Sequence, residues 1–102
     1  MVTHPIYVRR ESYRGANQKL RAKAAAHNRD AAQLENHVNE LLQKQDEPIK
    51  VYLWHEIAQG VGLSYDTVAK LGYSIDGGSN GFTAIKAGMI YEQAMVTIDQ
   101  HK

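Results

Sequence analysis

From position 17 to position 45 the apolar residues recur alternately four and three residues apart. The segment contains no glycine or proline and is rich in Ala, Leu, Gln, Glu, Lys and Arg, all of which favour helices. The spacing predicts one long helix with a heptad seam along one face. The seam residues are Leu20, Ala24, His27, Ala31, Leu34, Val38 and Leu41.

The two halves of this seam differ in what they can bury. The first half is mostly alanine, whereas each larger side chain of the second half contributes about 1.5–3 kcal/mol on burial. That half can pack on the domain that follows it or on the same helix of a second copy. We favour dimerisation together with support of the helix's own domain, because the roughly 55 residues that follow are near the lower limit for an independent core. The candidate dimer residues are Leu34, Val38, Leu41 and Leu42.

A second pattern, from position 54 to position 73, predicts two short helices joined by a tight turn. Gly62 suits a left-handed helix end, Leu63 fills the angle between the helices, and Ser64 suits the N-cap of the second helix. The positions on the facing sides are Ile57, Ala58, Val61, Val68 and Leu71.

The remaining segments have weaker patterns. Residues 1–16 read as an arm, partly extended around Ile6 to Val8. Pro48 ends the long helix. Residues 49–53 fit either a short strand or the first turn of the next helix. Beyond Gly88, apolar residues at helical spacing over residues 89–98 predict a final helix.

The residues of the second pattern, at these separations, resemble the helix-turn-helix of bacterial and phage DNA-binding regulators. The following segment resembles the β-hairpin wing of such proteins, with Tyr73 and Ile75 on one strand and Phe82 and Ile85 on the other. Its glycine-rich tip, residues 76–81, has hairpin turn chemistry. The resemblance implies a mainly α fold with a small β-hairpin, namely a winged helix-turn-helix domain (residues 47–102) behind a long amphipathic helix (17–46) and a basic arm (1–16).

Composition excludes several classes of protein. The chain has 102 residues, 43% of them hydrophobic, and no cysteine, so we expect one small domain without disulfides, thiolate metal sites or cysteine nucleophiles. It has no apolar run long enough for a membrane span and no signal-peptide pattern at its N-terminus. Neither a histidine pair at metal spacing nor a catalytic constellation is evident. We therefore expect a cytoplasmic protein that is not an enzyme, with no cofactor and no evident small-molecule ligand.

Charge is distributed unevenly, although the net charge is only +1. Residues 1–29 contain seven Lys or Arg and only one acidic residue, Glu11, whereas residues 30–66 contain seven Asp or Glu against two Lys. Basic side chains at a helix N-terminus oppose its dipole, which favours a phosphate partner for them over a plain solvated tail. The phosphate candidates are Arg9, Arg10, Arg14, Lys19, Arg21 and Lys23.

The resemblance also implies which side chains approach the bases. The outer side of the recognition helix contributes Ser64, Tyr65, Asp66, Thr67 and Lys70. Asp66 fits helix-dipole stabilisation better than an acceptor role toward cytosine. In the wing tip, Ser79 and Asn80 can contact phosphate, or the tip is only a tight hairpin.

These observations predict a homodimeric, sequence-specific regulator that binds double-stranded DNA. The alternative is a protein-interaction module that uses the long helix and does not bind DNA, because a fold does not fix a function. The operator, the direction of regulation, any effector, the dimer geometry, and a chromosomal, plasmid or phage origin are not readable from these residues.

Overall fold

The computed structural model describes residues 1–76 and 80–100. The elements in chain order are α1 (Gln18–Lys44), β1 (Ile49–Leu53), α2 (Trp54–Val61), α3 (Tyr65–Asp76), β2 (Gly81–Ile85) and α4 (Tyr91–Gln100). The expected class, mainly helical with a small antiparallel sheet, is therefore confirmed at that level. Among the described residues, no helix combines the length and apolar character needed to cross a membrane.

Helix α1 begins at a local signal. The side chain of Asn17 accepts hydrogen bonds from the backbone N–H groups of Lys19 and Leu20, which satisfies two of the free donors at the helix start. Four residues of α1 are buried, from its midpoint onward: Ala31, Leu34, Val38 and Leu42. The stronger half of the seam therefore forms part of the core.

This packing corrects the set of candidate dimer residues. Leu34, Val38 and Leu42 are fully buried within one chain, and Leu41 packs partly buried against the same core. A second copy has no access to Leu34, Val38 or Leu42 while the fold is intact. Two packing partners were considered for the helix, and in the structure α1 packs on its own domain.

The sheet pairs β1 with β2 in antiparallel register, from Ile49 opposite Ile85 to Leu53 opposite Gly81. Residues 49–53 are thus a strand, which decides between the two alternatives for that segment. The predicted wing is wrong, because Tyr73 and Ile75 lie in α3. The tip residues 77–79 lie outside the described residues.

Tertiary contacts explain why the second helix of the pair continues past Leu71. Val68 and Leu71 are buried and Ile75 packs partly buried against the core, so one apolar face extends along α3. Gly72 lies directly against the indole of Trp54. The indole in turn packs on Phe82 of β2, with ring centres 5.1 Å apart.

The N-terminal arm is bound to the domain along most of its length. The backbone of Val2 pairs with β2 through Thr83 and Ile85, both at 2.8 Å. Ile6 and Val8 are buried, whereas Tyr7 between them is 67% exposed. The alternation predicted around these residues is therefore present, but the arm packs against α1 instead of lying free.

Three side chains of α1 hold the arm by its backbone. Asn39 accepts from the N–H of Ile6 at 2.7 Å, and Glu35 accepts from the N–H of Val8 at 2.9 Å. Asn28 bonds both backbone groups of Glu11, at 2.7 and 2.9 Å. The arm thus runs antiparallel to α1.

Helix α4 begins two residues later than the predicted segment. Gly88 has a φ of 81°, so the break expected there is present. Ala94 is fully buried, whereas Ile90 is 59% exposed and does not add to the core.

Candidate nucleic-acid interface

The turn between α2 and α3 has the geometry expected from its sequence. Gly62 ends α2 in the left-handed conformation, with φ 78° and ψ 24°, and its N–H donates to Ala58 at 3.0 Å. Ser64 then caps α3, since its Oγ accepts from the N–H of Thr67 at 3.2 Å. The two helices therefore meet through a short connection, and α2 and α3 are in contact.

The outer side of α3 presents a ridge of polar side chains. Asp66, Lys70 and Tyr73 are exposed and follow one another at spacings of four and three, which places them on one face. Tyr65 at the helix start is 44% exposed. Tyr73, at 68%, was missed as a candidate because it was assigned to a strand.

Two other candidates, Ser64 and Thr67 at the start of this helix, are less available for contacts outside the protein. Thr67 is only half-buried, but its Oγ1 accepts a hydrogen bond from the hydroxyl of Ser64 at 2.8 Å. The same Ser64 oxygen serves the cap. Both hydroxyls are thus engaged within the helix start, and the ridge is the freer part of the surface.

Arg9 is brought beside this helix by its backbone. Its N–H donates to Ser74 Oγ of α3 at 3.3 Å, and its carbonyl oxygen lies 3.0 Å from His27 Nε2 of α1, which donates when that nitrogen carries the proton. The side chains of Arg9 and Lys70 line one shallow cavity of about 210 Å³. Two basic residues far apart in sequence therefore share one surface.

Acidic residues balance the charge of this surface. Glu11 lines the same cavity as Arg9 and Lys70, and Asp30 of α1 lines an adjoining one with Lys70 and Thr67. Because two carboxylates face two basic groups, the area beside α3 has little net positive charge. Strong attraction for a polyanion must come from another part of the molecule.

The first half of α1 and the end of the arm supply that charge. Arg14, Lys19, Arg21 and Lys23 are all exposed, and no ion pair involving them is present among the described residues. Lys23 precedes His27 by four residues, so the two share a face of α1, and His27 also lines the cavity that Lys70 lines. The basic side chains thus extend the α3 surface along the helix.

Arg10 has a different place from the other basic candidates. Its guanidinium forms an ion pair with Glu35 at 3.2 Å, donates to the carbonyl of Val8 at 2.7 Å and lies 5.4 Å from the centre of the Tyr7 ring. Only 28% of its side chain is exposed. Arg10 fixes the arm to α1 and is not free for a phosphate, which corrects its assignment.

The two wing candidates are also changed by the fold. Ser79 lies outside the described residues. Asn80 is exposed, but it directly precedes β2 and its carbonyl accepts from the N–H of Trp54 at 2.9 Å. It belongs to the end of the sheet and the start of α2, not to a wing hairpin.

Comparison with protein-family models, with curated proteins and with solved structures gave no significant match.

Proposed function

We propose that this chain is a DNA-binding regulator that recognises double-stranded DNA, with α3 placed in the major groove. The observation that supports the proposal is the exposed ridge Asp66–Lys70–Tyr73 on the second helix of a tight helix-turn-helix, with Arg9 held beside it. Helices docked in this way read base edges with their outward side chains.

Each group on the ridge has a defined chemical role in this proposal. Lys70 donates to guanine O6 or N7 or to a phosphate, and Tyr73 donates its hydroxyl to a base edge or phosphate. Asp66 stabilises the positive end of the helix dipole and accepts from cytosine N4 where that base is presented. A carboxylate near DNA disfavours phosphate, so Asp66 contributes to selectivity rather than to affinity.

The basic part of α1 and the arm provides affinity that does not depend on sequence. Five of these basic side chains are exposed and form no ion pair among the described residues: Arg9, Arg14, Lys19, Arg21 and Lys23. If four of them neutralise phosphates, the logarithm of the binding constant falls with the logarithm of salt concentration at a slope of about −3.6.

The test measures binding of a fluorescent random duplex by anisotropy across a salt series, followed by selection and sequencing of the DNA retained at higher salt. Selection of a palindrome with half-sites about 10 base pairs apart indicates two bound copies, and a single unrepeated site indicates one. A homodimer in solution needs a surface other than the buried seam. Sedimentation of the free protein measures that separately.

Two matched variants decide whether α3 is the reading surface. We expect Lys70→Ala to weaken binding to the selected site by about tenfold or more, equivalent to about 1–3 kcal/mol. Lys44→Ala removes the same charge from the far end of α1, where Lys44 pairs with Glu40, and should leave affinity nearly unchanged. Equal affinities of the two variants, or no binding at low salt, contradict the proposal.

A further inference from the structure

A groove lies between the arm and the first half of α1, and it shares Glu11 and His27 with the cavity that Arg9 and Lys70 line. It encloses about 340 Å³, and Ser12, Tyr13, Leu20, Lys23, Ala24 and His27 line it together with Glu11. Leu20 and Ala24 continue the same helical face that Ala31 and Leu34 bury in the core. The seam therefore emerges from the core into an open groove, where Leu20 remains 46% exposed.

The charge around this groove has one predominant sign. Residues 12–29 contain Arg14, Lys19, Arg21, Lys23 and Arg29 and no acidic residue. Glu11, on one wall, is the only carboxylate among the lining residues, and its backbone is bonded to Asn28. Lys23 lines the groove, and the exposed Arg14, Lys19 and Arg21 are next to lining residues in the sequence. The apolar floor therefore has an excess of basic side chains near it.

We propose that this groove binds an acidic segment of another protein, with one apolar side chain of that segment seated against Leu20 and Ala24. Charge complementarity supports the occupant: carboxylates on the segment would meet the nearby Lys and Arg side chains, and its apolar side chain would cover the exposed leucine. The inference stands without the proposed DNA binding, but both use Arg14, Lys19, Arg21 and Lys23, so the peptide and DNA would compete for these side chains.

Two other occupants are disfavoured by the same residues. A second copy of this chain that used the same groove would place the basic half of one α1 against the basic half of the other, and like charges at short range repel. A phosphate backbone gains from the basic groups but nothing from Leu20 or Ala24, because hydrophobic stabilisation requires an apolar partner. The combination of an apolar floor and nearby basic side chains fits an acidic amphipathic peptide best.

The probe is a short fluorescein-labelled synthetic peptide with Leu and Phe at helical spacing on one face and Glu at most other positions. A peptide of the same composition, with the apolar residues dispersed, is the reference. We expect micromolar binding of the first peptide, weaker binding of the second, and a decrease in both with added salt.

Two leucine substitutions provide a matched comparison. Leu20→Ser removes the apolar floor without changing charge, and Leu53→Ser alters a leucine of similar exposure, 42%, on β1. We expect at least a tenfold loss of peptide affinity for Leu20→Ser and less than a twofold change for Leu53→Ser. Circular dichroism confirms that both variants are folded.

The outcomes separate this proposal from DNA binding. Lys70→Ala should lose DNA affinity and keep peptide affinity, whereas Leu20→Ser should do the reverse. Absence of peptide binding, equal affinity for the two peptides, or equal affinity of Leu20→Ser and the unmodified protein overturns the groove as a docking site, whatever the DNA result.

Discussion

Replacing Gly72 with alanine tests how closely α3 is seated on the core. A Cβ at this position would lie 2.5, 2.6 and 2.8 Å from three carbons of the Trp54 indole. Carbon atoms in contact are normally about 3.5–4.0 Å apart, so helix and ring must separate by about 1 Å. Trp54 is fully buried and packed on Phe82, which leaves the ring little room to move.

The expected magnitude combines two opposed effects. Overpacking of this kind costs about 1–3 kcal/mol, and alanine is favoured over glycine inside a helix by about 0.8–1.0 kcal/mol. Because the indole is rigid and enclosed, we expect an overpacking cost in the upper part of the range of about 1–3 kcal/mol. Gly72→Ala should then lower the free energy of unfolding by about 1–2 kcal/mol, as measured by urea denaturation with far-ultraviolet circular dichroism.

A second background makes the reasoning refutable. The three nearest carbons all belong to the six-membered ring of the indole, so Trp54→Phe should open space at Gly72. In a Trp54→Phe background, Gly72→Ala should be neutral or stabilising by up to about 1 kcal/mol, since helix propensity remains. If Gly72→Ala is as stable as the unmodified protein with Trp54 present, or equally destabilising in both backgrounds, the close approach is not what determines the effect.

Substitutions at four further positions test other parts of the fold. Gly62→Ala adds a side chain in open space at positive φ, so only backbone strain opposes it, and we expect a loss of about 1–2 kcal/mol on urea denaturation. Ser64→Ala removes the cap of α3 and should cost about 1 kcal/mol in the same assay; an unchanged midpoint would contradict the capping role. Glu35→Ala removes acceptors for Val8 and Arg10 and should cost about 1.5–3 kcal/mol, with Glu35→Gln intermediate in thermal unfolding. Burial, and then the Glu47 carboxylate, raise the pKa of Tyr52 above its ordinary value of 10.0, so the stability from this group is complete below about pH 10 and is lost as pH rises through the folded-state pKa. Tyr52→Phe should cost about 1 kcal/mol at neutral pH by removing the hydrogen bond to Gln45, and its unfolding midpoint should fall less steeply above pH 10 than that of the unmodified protein.

The parts of the fold that follow from local signals were predictable from the sequence. Absence of glycine and proline, together with heptad spacing, places α1. A glycine followed by a capping serine places the turn between α2 and α3, because both residues act on the backbone next to them. The expectation that Asp66 and Lys70 face outward follows from the same helical period.

The parts of the fold that depend on contacts between distant residues were not predictable from the sequence. Tyr73 and Ile75 have side chains typical of strands, but the fit of Gly72 against Trp54 and the apolar face of α3 keep them helical. The strand that pairs with β2 is β1, which lies before α2 in the chain and not after α3. No local signal identifies that pairing.

Burial of the arm was missed for a similar reason. Its charge predicts exposure, and Arg9 is indeed exposed, but the backbone is bound by Asn28, Glu35 and Asn39 at positions that only the folded helix brings together. Alternation of Ile6 and Val8 around Tyr7 was the available signal. It is short, and a three-residue alternation does not show whether a partner surface exists.

The attachment of the arm to α1 and α3 gives the protein a built-in reporter for proteolysis. Trypsin cleaves after Lys and Arg and needs a flexible, extended segment in its active site, so cleavage of a folded protein requires local unfolding. Arg9 and Arg10 lie where backbone and side chains are bonded to both helices, whereas Arg14 follows beyond the Asn28 contact and is exposed. The rate of cutting after Arg9 and Arg10, relative to Arg14, therefore measures how often the arm detaches while the rest of the chain stays folded.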